Sequence, residues 1–505
     1  MRPRTLAFSV TVTILLALAA SPLLAAQEGR AMHHRYKLID MGTFGGPTSA
    51  IYALTGPLNN RGVADSCADT SNLDPNYPNI NPFFGSDPYV QHAFRWQKGR
   101  LQDLGTLPGG TSSCSQWVND RGLIVGASTN GQIDPLLGIP EIHAALWKDE
   151  SVFDLGTLGG NESVAYNVNK HGEIVGGALN TISDPYTSSF FNFFISGATQ
   201  VHAFMAKRDG IMHDLGTLGT GTDSMAFYVN NEGQVAGQSF TDTAVNASTG
   251  LPTMHPVLWE DGKMKDLGTI GGTLVTQIAG LNAEGQVVGA MTVAGDASDH
   301  PVLWDGQSIR DLGTLGGSFG QAWGLNDAGD VVGHAFTQGD QTHDAFLWRD
   351  GVMIDLKTLE GDDRSLALVV NASEQIVGWS ADSQGNTHVF LWENNGPMVN
   401  LQSLVNSGPN LSLMPDVFIN DRGEITSDAL TPDGNNHAVV LIPCDENHLG
   451  IEGCDYAHVD GSAAADTGGQ VQSRSTTKTR KPPSPFESSL RGRRLNRHAA
   501  TKPWK

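Results

Sequence analysis

Eight histidines recurring along the chain are the first residues whose type and spacing could do chemistry. They open the segments HAFRW at His92, HAALW at His143, HAFMA at His202, HPVLW at His255 and His300, HDAFLW at His343, HVFLW at His388 and HAVVL at His437. Carboxylates recur with them, in DLGTLGG-like segments at Asp103, Asp154, Asp214, Asp266, Asp311 and Asp355, with Asp40 ahead of the series and Asn400 late in it. An imidazole beside a carboxylate is the material of general-base catalysis or of a metal site. The pattern argues for something plainer. A catalytic group needs a unique environment, whereas this couple repeats, and no short His/Cys/Asp cluster of ligand spacing accompanies it. A turn centred near Lys98 places His92 opposite or diagonal to Asp103 on the next strand. Such a cross-strand pair contributes roughly 0.2 to 1 kcal/mol and pins register. The same reasoning predicts structural pairs throughout: His92 with Asp103, His143 with Asp154, His202 with Asp214, His255 with Asp266, His300 with Asp311, His343 with Asp355, and His437 with Asp40. No catalytic residue, metal ligand or cofactor is assigned.

A third motif separates these two. Asn59, Asn119, Asn169, Asn230, Asn282, Asn326, Asn371 and Asn420 each open a tight turn, usually Asn-x-x-Gly, that leads into an apolar pair such as Val331 and Val332. Successive histidines lie 43 to 59 residues apart, the period of a four-stranded propeller blade. Each period holds four short apolar or alternating runs and no amphipathic stretch of helix length. The chain opens on only the last strand of a unit, near Tyr36 to Gly42, and its last unit has only the first three. The predicted fold is therefore an all-β, eight-bladed β-propeller of four-stranded blades, closed by the N-terminal strand completing the last blade so that no sheet edge stays exposed. Paired glycines such as Gly316 and Gly317 are expected at blade crossings, where φ > 0 is needed. Trp304 and Trp348 are read as packing between blades.

With these motifs in hand, the stretch from Tyr36 to Tyr456 resembles the HAF-repeat family of probable extracellular repeat proteins, named for the His-Ala-Phe seen at His92 and His202. The resemblance implies export and a repetitive β architecture, and it carries over no catalytic residue. Ala206 where Trp is usual, Lys357 and Glu360 in place of glycine, and Asn400 in place of Asp depart from the pattern.

Composition agrees with a turn-rich β protein. The 505 residues include 60 glycines and only 17% charged residues, too few long-chain helix formers for a bundle. A net charge of -22 argues against nucleic acid as a partner. Arg2 and Arg4 precede an apolar run and the small residues Ala25 and Ala26, which reads as a secretory signal over 1–26. The propeller is expected over 33–443, a cysteine-bridged extension over 444–457, and a disordered basic tail over 458–505. The mature chain is expected to be exported, to carry no transmembrane segment and to be a monomer.

Four cysteines in an exported chain suggest Cys444 with Cys454 and, on one rim, Cys67 with Cys114. That rim also receives the long loops between second and third strands. Tyr77, Phe83, Phe84 and Tyr89 lie in one; Asp184, Tyr186, Phe190, Phe191, Phe193 and Phe194 lie in another. Aromatics beside acids can stack on sugar faces and bond hydroxyls. The leading expectation is a binding scaffold whose partner is a glycan or other cell-envelope material, with packing of these aromatics on one another as the plainer alternative. A secreted propeller hydrolase or lyase, with Asp74, Asp87 or Asp184 as unpartnered loop acids, is the rival. A surface structural protein without a small ligand is the third reading.

Overall fold

The computed structural model describes residues 32–460 apart from 53–55, 136, 185, 187–198, 208–209 and 307. The expected signal segment, Phe190, Phe191, Phe193, Phe194 and the tail beyond Asp460 lie outside the described residues. The chain is all-β, and each repeat is an antiparallel four-stranded meander. In the second repeat the strands are Ser113–Val118, Ile124–Ile133, Pro140–Lys148 and Ser151–Asp154. Asn119 to Gly122 turns the first strand into the second, and Asp149 and Glu150, both at positive φ, form the tight hairpin before the fourth, as the right-handed strand twist demands.

The fourth and fifth repeats share one sheet through a single parallel bridge, Met254 to Leu274. In the eighth repeat Ser412–Ile419, Ile425–Leu430 and Asn436–Pro443 receive the N-terminal strand Tyr36–Asp40 as their fourth member, with Leu38 opposite Leu441 and Asp40 opposite Val439. Val405–Ser407 adds a fifth strand beside Tyr36.

Hydrophobic packing runs from repeat to repeat. Val288 and Leu303 of the fifth meet Val331, Phe346 and Trp348 of the sixth. Phe94, Phe204, Phe346 and Phe390, from the third strands, are fully buried, each contributing on the order of 2 kcal/mol. Second strands carry a glycine because the neighbouring backbone is too close for a side chain: a Cβ on Gly126 would lie 2.2 Å from the carbonyl oxygen of Cys114. Of the crossing glycines, Gly316 has φ +98°, whereas Gly317 is small because Asp340 and Phe336 press on it.

The expected tail boundary at 458 needs correction. Val459–Asp460 pairs with Met32–His33 as a two-stranded ribbon, fastened by the ion pair between Arg35 and Asp455.

Candidate functional site

The repeated asparagines do more than open turns. Each Oδ1 accepts backbone N–H groups of its own turn, as Asn119 does from Arg121 and Leu123. Each Nδ2 donates to the backbone carbonyl of the next repeat's asparagine: Asn59 to Asn119, then on through Asn169, Asn230, Asn282, Asn326 and Asn371 to Asn420, with donor–acceptor distances of 2.7 to 3.2 Å. Asn420 donates at 2.9 Å to Asn59, so the eight bonds form a complete circuit. All eight residues are buried. Aspartate could accept but could not pass the bond on, which is why asparagine persists even where the turn glycine is replaced by Glu374 at φ +62°.

The histidines also bond within the scaffold. Nδ1 of His92, His143, His202, His255 and His300 reaches Asp103, Asp154, Asp214, Asp266 and Asp311 at 2.8 to 2.9 Å. His437 reaches Asp40 at 2.8 Å across 397 residues. Register places Phe94 directly opposite Asp103, so each pair is diagonal. The same carboxylate accepts the N–H two residues on, as Asp103 does from Gly105 at 2.7 Å, closing the turn that carries the chain to the next repeat. Burial raises the pKa of Asp103, but the bonds from His92 and Gly105 outweigh it and hold the carboxyl below its usual range.

The expected pair of His343 with Asp355 is not formed. Asp355 lies opposite Phe346, and HDAFLW carries one more residue between histidine and phenylalanine than HAFRW, so Asp344 takes the place of the repeated histidine. His343 instead bonds the carbonyl of Ser365 at 3.0 Å. Burial and the facing Asp355 push the Asp344 carboxyl upward, while Lys357 donates to Asp355. In the seventh repeat, where Asn400 replaces aspartate, His388 turns to Asp362 at 3.0 Å.

A further linkage was missed in the motifs. Ser113, six residues before Asn119, donates to the carbonyl of Gly105 and accepts the N–H of Ala93 from the preceding repeat. Ser163, Ser224 and Ser365 repeat it at the same offset. That constant six-residue spacing from asparagine was the available signal.

Both disulfides form, Cys67 with Cys114 and Cys444 with Cys454, with Cα atoms 4.9 and 5.4 Å apart. Among the described residues the loop aromatics do not form one exposed platform. Phe83 and Phe84 are 8% and 7% exposed and pack with Cys67, Cys114 and Ile142; their assignment as ligand contacts is corrected to core. Asn81 fixes them, accepting the N–H of Phe83 and donating to Glu162 at 2.6 Å. Tyr186 packs against Phe240, Tyr89 begins a third strand half-buried, and Tyr77 is exposed. Asp184 is buried beside Asp223, whose carboxyl is pushed up by burial and by Asp184. Asp74 is buried and accepts from the Ser112 hydroxyl.

Burial pushes several acids here well above the usual carboxylate range. Burial raises Glu162 to about 8 despite its bond from Asn81, and Asp69 to about 6. Asp65 differs in kind. Its counterparts in the other repeats are Val125, Val175, Ala236, Val288, Val332, Val377 and Thr426, each opposite an apolar residue, whereas Asp65 stands opposite Arg95. It is 1% exposed, and neither carboxyl oxygen has a hydrogen-bond partner. The nearby Ser115 hydroxyl, which donates to the Ser66 carbonyl, offsets only part of the burial that raises Asp65 to about 8.

Among the described residues no cluster of three or more His, Cys, Asp or Glu could hold a metal ion, and no helix is long and apolar enough to cross a membrane.

No family model matches the chain, and no curated protein does. Solved structures similar to it include the β-propeller domain of the Trilobed protease from Pyrococcus furiosus, at 12% identity and TM-score 0.38, covering 70% of this chain and 96% of that one. The acylaminoacyl peptidase of Pyrococcus horikoshii follows at 12% identity and TM-score 0.37, and the dipeptidyl peptidase 4 of Porphyromonas gingivalis at 10% and 0.44. They cover 78% and 77% of this chain, which spans 57% and 58% of their lengths.

Proposed function

We propose that the protein is an exported member of the HAF-repeat family, folded as an eight-bladed propeller closed by its N-terminal strand, and that it binds glycan or other cell-envelope material through the loop rim of its first four repeats. The observation that carries this is where the repeated polar groups go. Asparagines, histidines and serines are consumed by bonds between and within repeats, so the polar chemistry left for recognition is the non-repeated part, concentrated on that rim. The asparagine circuit and the pairing of Tyr36–Asp40 with Asn436–Pro443 support closure. Two disulfides suit an oxidising compartment. Exposed Tyr77 and the residues between Asp184 and Thr199 are the recognition candidates.

Glycan-array binding of the exported chain, compared with a variant shortened between Asp184 and Thr199, tests the reading. Lost or narrowed binding supports it; no binding to any glycan leaves a structural surface role. The hydrolase alternative rests on Glu162, an acid kept protonated near neutral pH, as a proton donor must be. Release of reducing ends during the same incubation, abolished by Glu162→Gln, would establish that alternative.

A further inference from the structure

The side chain four residues after each circuit asparagine belongs to a second layer beneath the circuit, and that layer has a gap. Glu173, Gln234, Gln286, Asp330, Gln375 and Glu424 each accept a bond from their own turn's asparagine, at 2.6 to 3.0 Å. Most also reach under the next repeat's turn: Gln234 lies 2.7 Å from where a Cβ on Gly285 would stand, and Glu424 lies 3.2 Å from the equivalent point on Gly62. In the first two repeats the position holds Val63 and Leu123, too short and too apolar to fill that place. The space is occupied in part by Arg95, whose Nη2 lies 3.8 Å from the Cβ position of Gly122. What remains is a cavity of about 680 Å³ whose walls include Arg95, Arg121, Lys148, Gln102 and Ser151.

Its charges are arranged for an anion. Arg95 bonds Gln97 through one N–H, and among the described residues neither Arg95 nor Arg121 is in an ion pair. Of the acids lining the same cavity, Asp103 is held by His92 and Asp149 lies 3.9 Å from Lys148, which leaves Glu150. Two guanidinium groups without carboxylate partners, in a chain of net charge -22, present planar forks suited to a carboxylate. The volume lies within the range of small-ligand sites. Because first-to-second and third-to-fourth turns share one edge of a meander, this site lies at the edge opposite the long loops.

We propose that the cavity between the first and second repeats is a binding site for a carboxylate-bearing sugar, separate from the loop rim. Arg95 and Arg121 grip the carboxylate, and Gln102 and Ser151 bond hydroxyls.

Calorimetric titration of the protein with trigalacturonate, maltotriose, a sulfated trisaccharide and inorganic phosphate tests this. Trigalacturonate is expected to bind, more weakly as salt rises, and Arg95→Leu and Arg121→Ala are each expected to weaken it at least tenfold. Arg422→Ala, on another turn and paired with Glu424, should leave it unchanged. The double variant Asp65→Val with Arg95→Leu restores the apolar couple of the other repeats, so it keeps the fold and must also lose binding. Full affinity in that variant, equal binding of maltotriose, or no binding of trigalacturonate overturns the proposal. Equal, arginine-dependent binding of phosphate or the sulfated sugar overturns the choice of carboxylate.

Discussion

The first four repeats and the last four are built on one meander but treat polar residues differently. In the last four, second strands run six or seven residues, as in Val287–Val293 and Ile376–Ala381. In the first four, second strands run ten or eleven residues, as in Val63–Leu73 and Val235–Val245, and lead into long loops. Acids pushed upward by burial gather there, Asp65, Asp69, Glu162 and Asp223 among them. The last four repeats alter the repeat's own pairs, at Asp344, Glu374 and Asn400, whereas the first four keep every His–Asp pair and add buried acids and long loops. Irregularity of that kind marks where selection has acted on something besides folding.

The largest test of this contrast is the asparagine circuit. Asn282→Ala orphans turn N–H groups, the Asn326 carbonyl and Gln286, and is expected to cost about 3 kcal/mol. Asn119→Ala, with Leu123 in place of that glutamine, is expected to cost about 2 kcal/mol. Equal losses in chemical denaturation would remove the second layer from the account.

Next comes pH. Asp65, Asp69 and Glu162 have folded pKa values above their unfolded ones, so the stability they allow is complete below about pH 4 and is lost as pH rises toward 8. His300, raised by its bond to Asp311, acts in the same direction above about pH 6.5. The depressed carboxyls of the His–Asp pairs act oppositely, losing their contribution as pH falls below about 4. Thermal midpoints are therefore expected to be higher at pH 5 than at pH 8. Asp65→Val should stabilise the fold most at pH 8, by about 1 to 3 kcal/mol. A flat profile would show that these acids are hydrated in solution.

Asp40→Ala is a smaller effect, roughly 1 kcal/mol, since it removes a half-exposed pair and a turn bond together. An unchanged midpoint relative to a surface control would mean that His437 does not help hold the N-terminal strand. Smallest is Glu374→Gly, expected to gain about 0.5 to 1 kcal/mol by relieving positive φ in the seventh repeat, offset in part by loss of its contact with Arg349.

The meanders and the six His–Asp diagonals were legible because each follows from a repeated offset, and both cysteine pairs because one closes a short loop and the other joins segments that a meander puts on one rim. Two things hid the rest. A single inserted residue at Asp344 defeats a motif anchored on histidine, since register counts from Phe346. Burial of Phe83 and Phe84 depends on Asn81 reaching Glu162, 81 residues away, and no local pattern encodes that. The arginine cavity was invisible because it arises from what Val63 and Leu123 lack.

The circuit of asparagines also makes the covalent starting point of the chain a matter of indifference to the fold. The bond from Asn420 to Asn59 joins the eighth repeat to the first and at 2.9 Å matches its seven fellows, while the break in chain order falls inside the eighth repeat, between Pro443 and Tyr36. A circular permutant joined between Pro443 and Tyr36 and opened between two regular repeats would keep every one of these bonds.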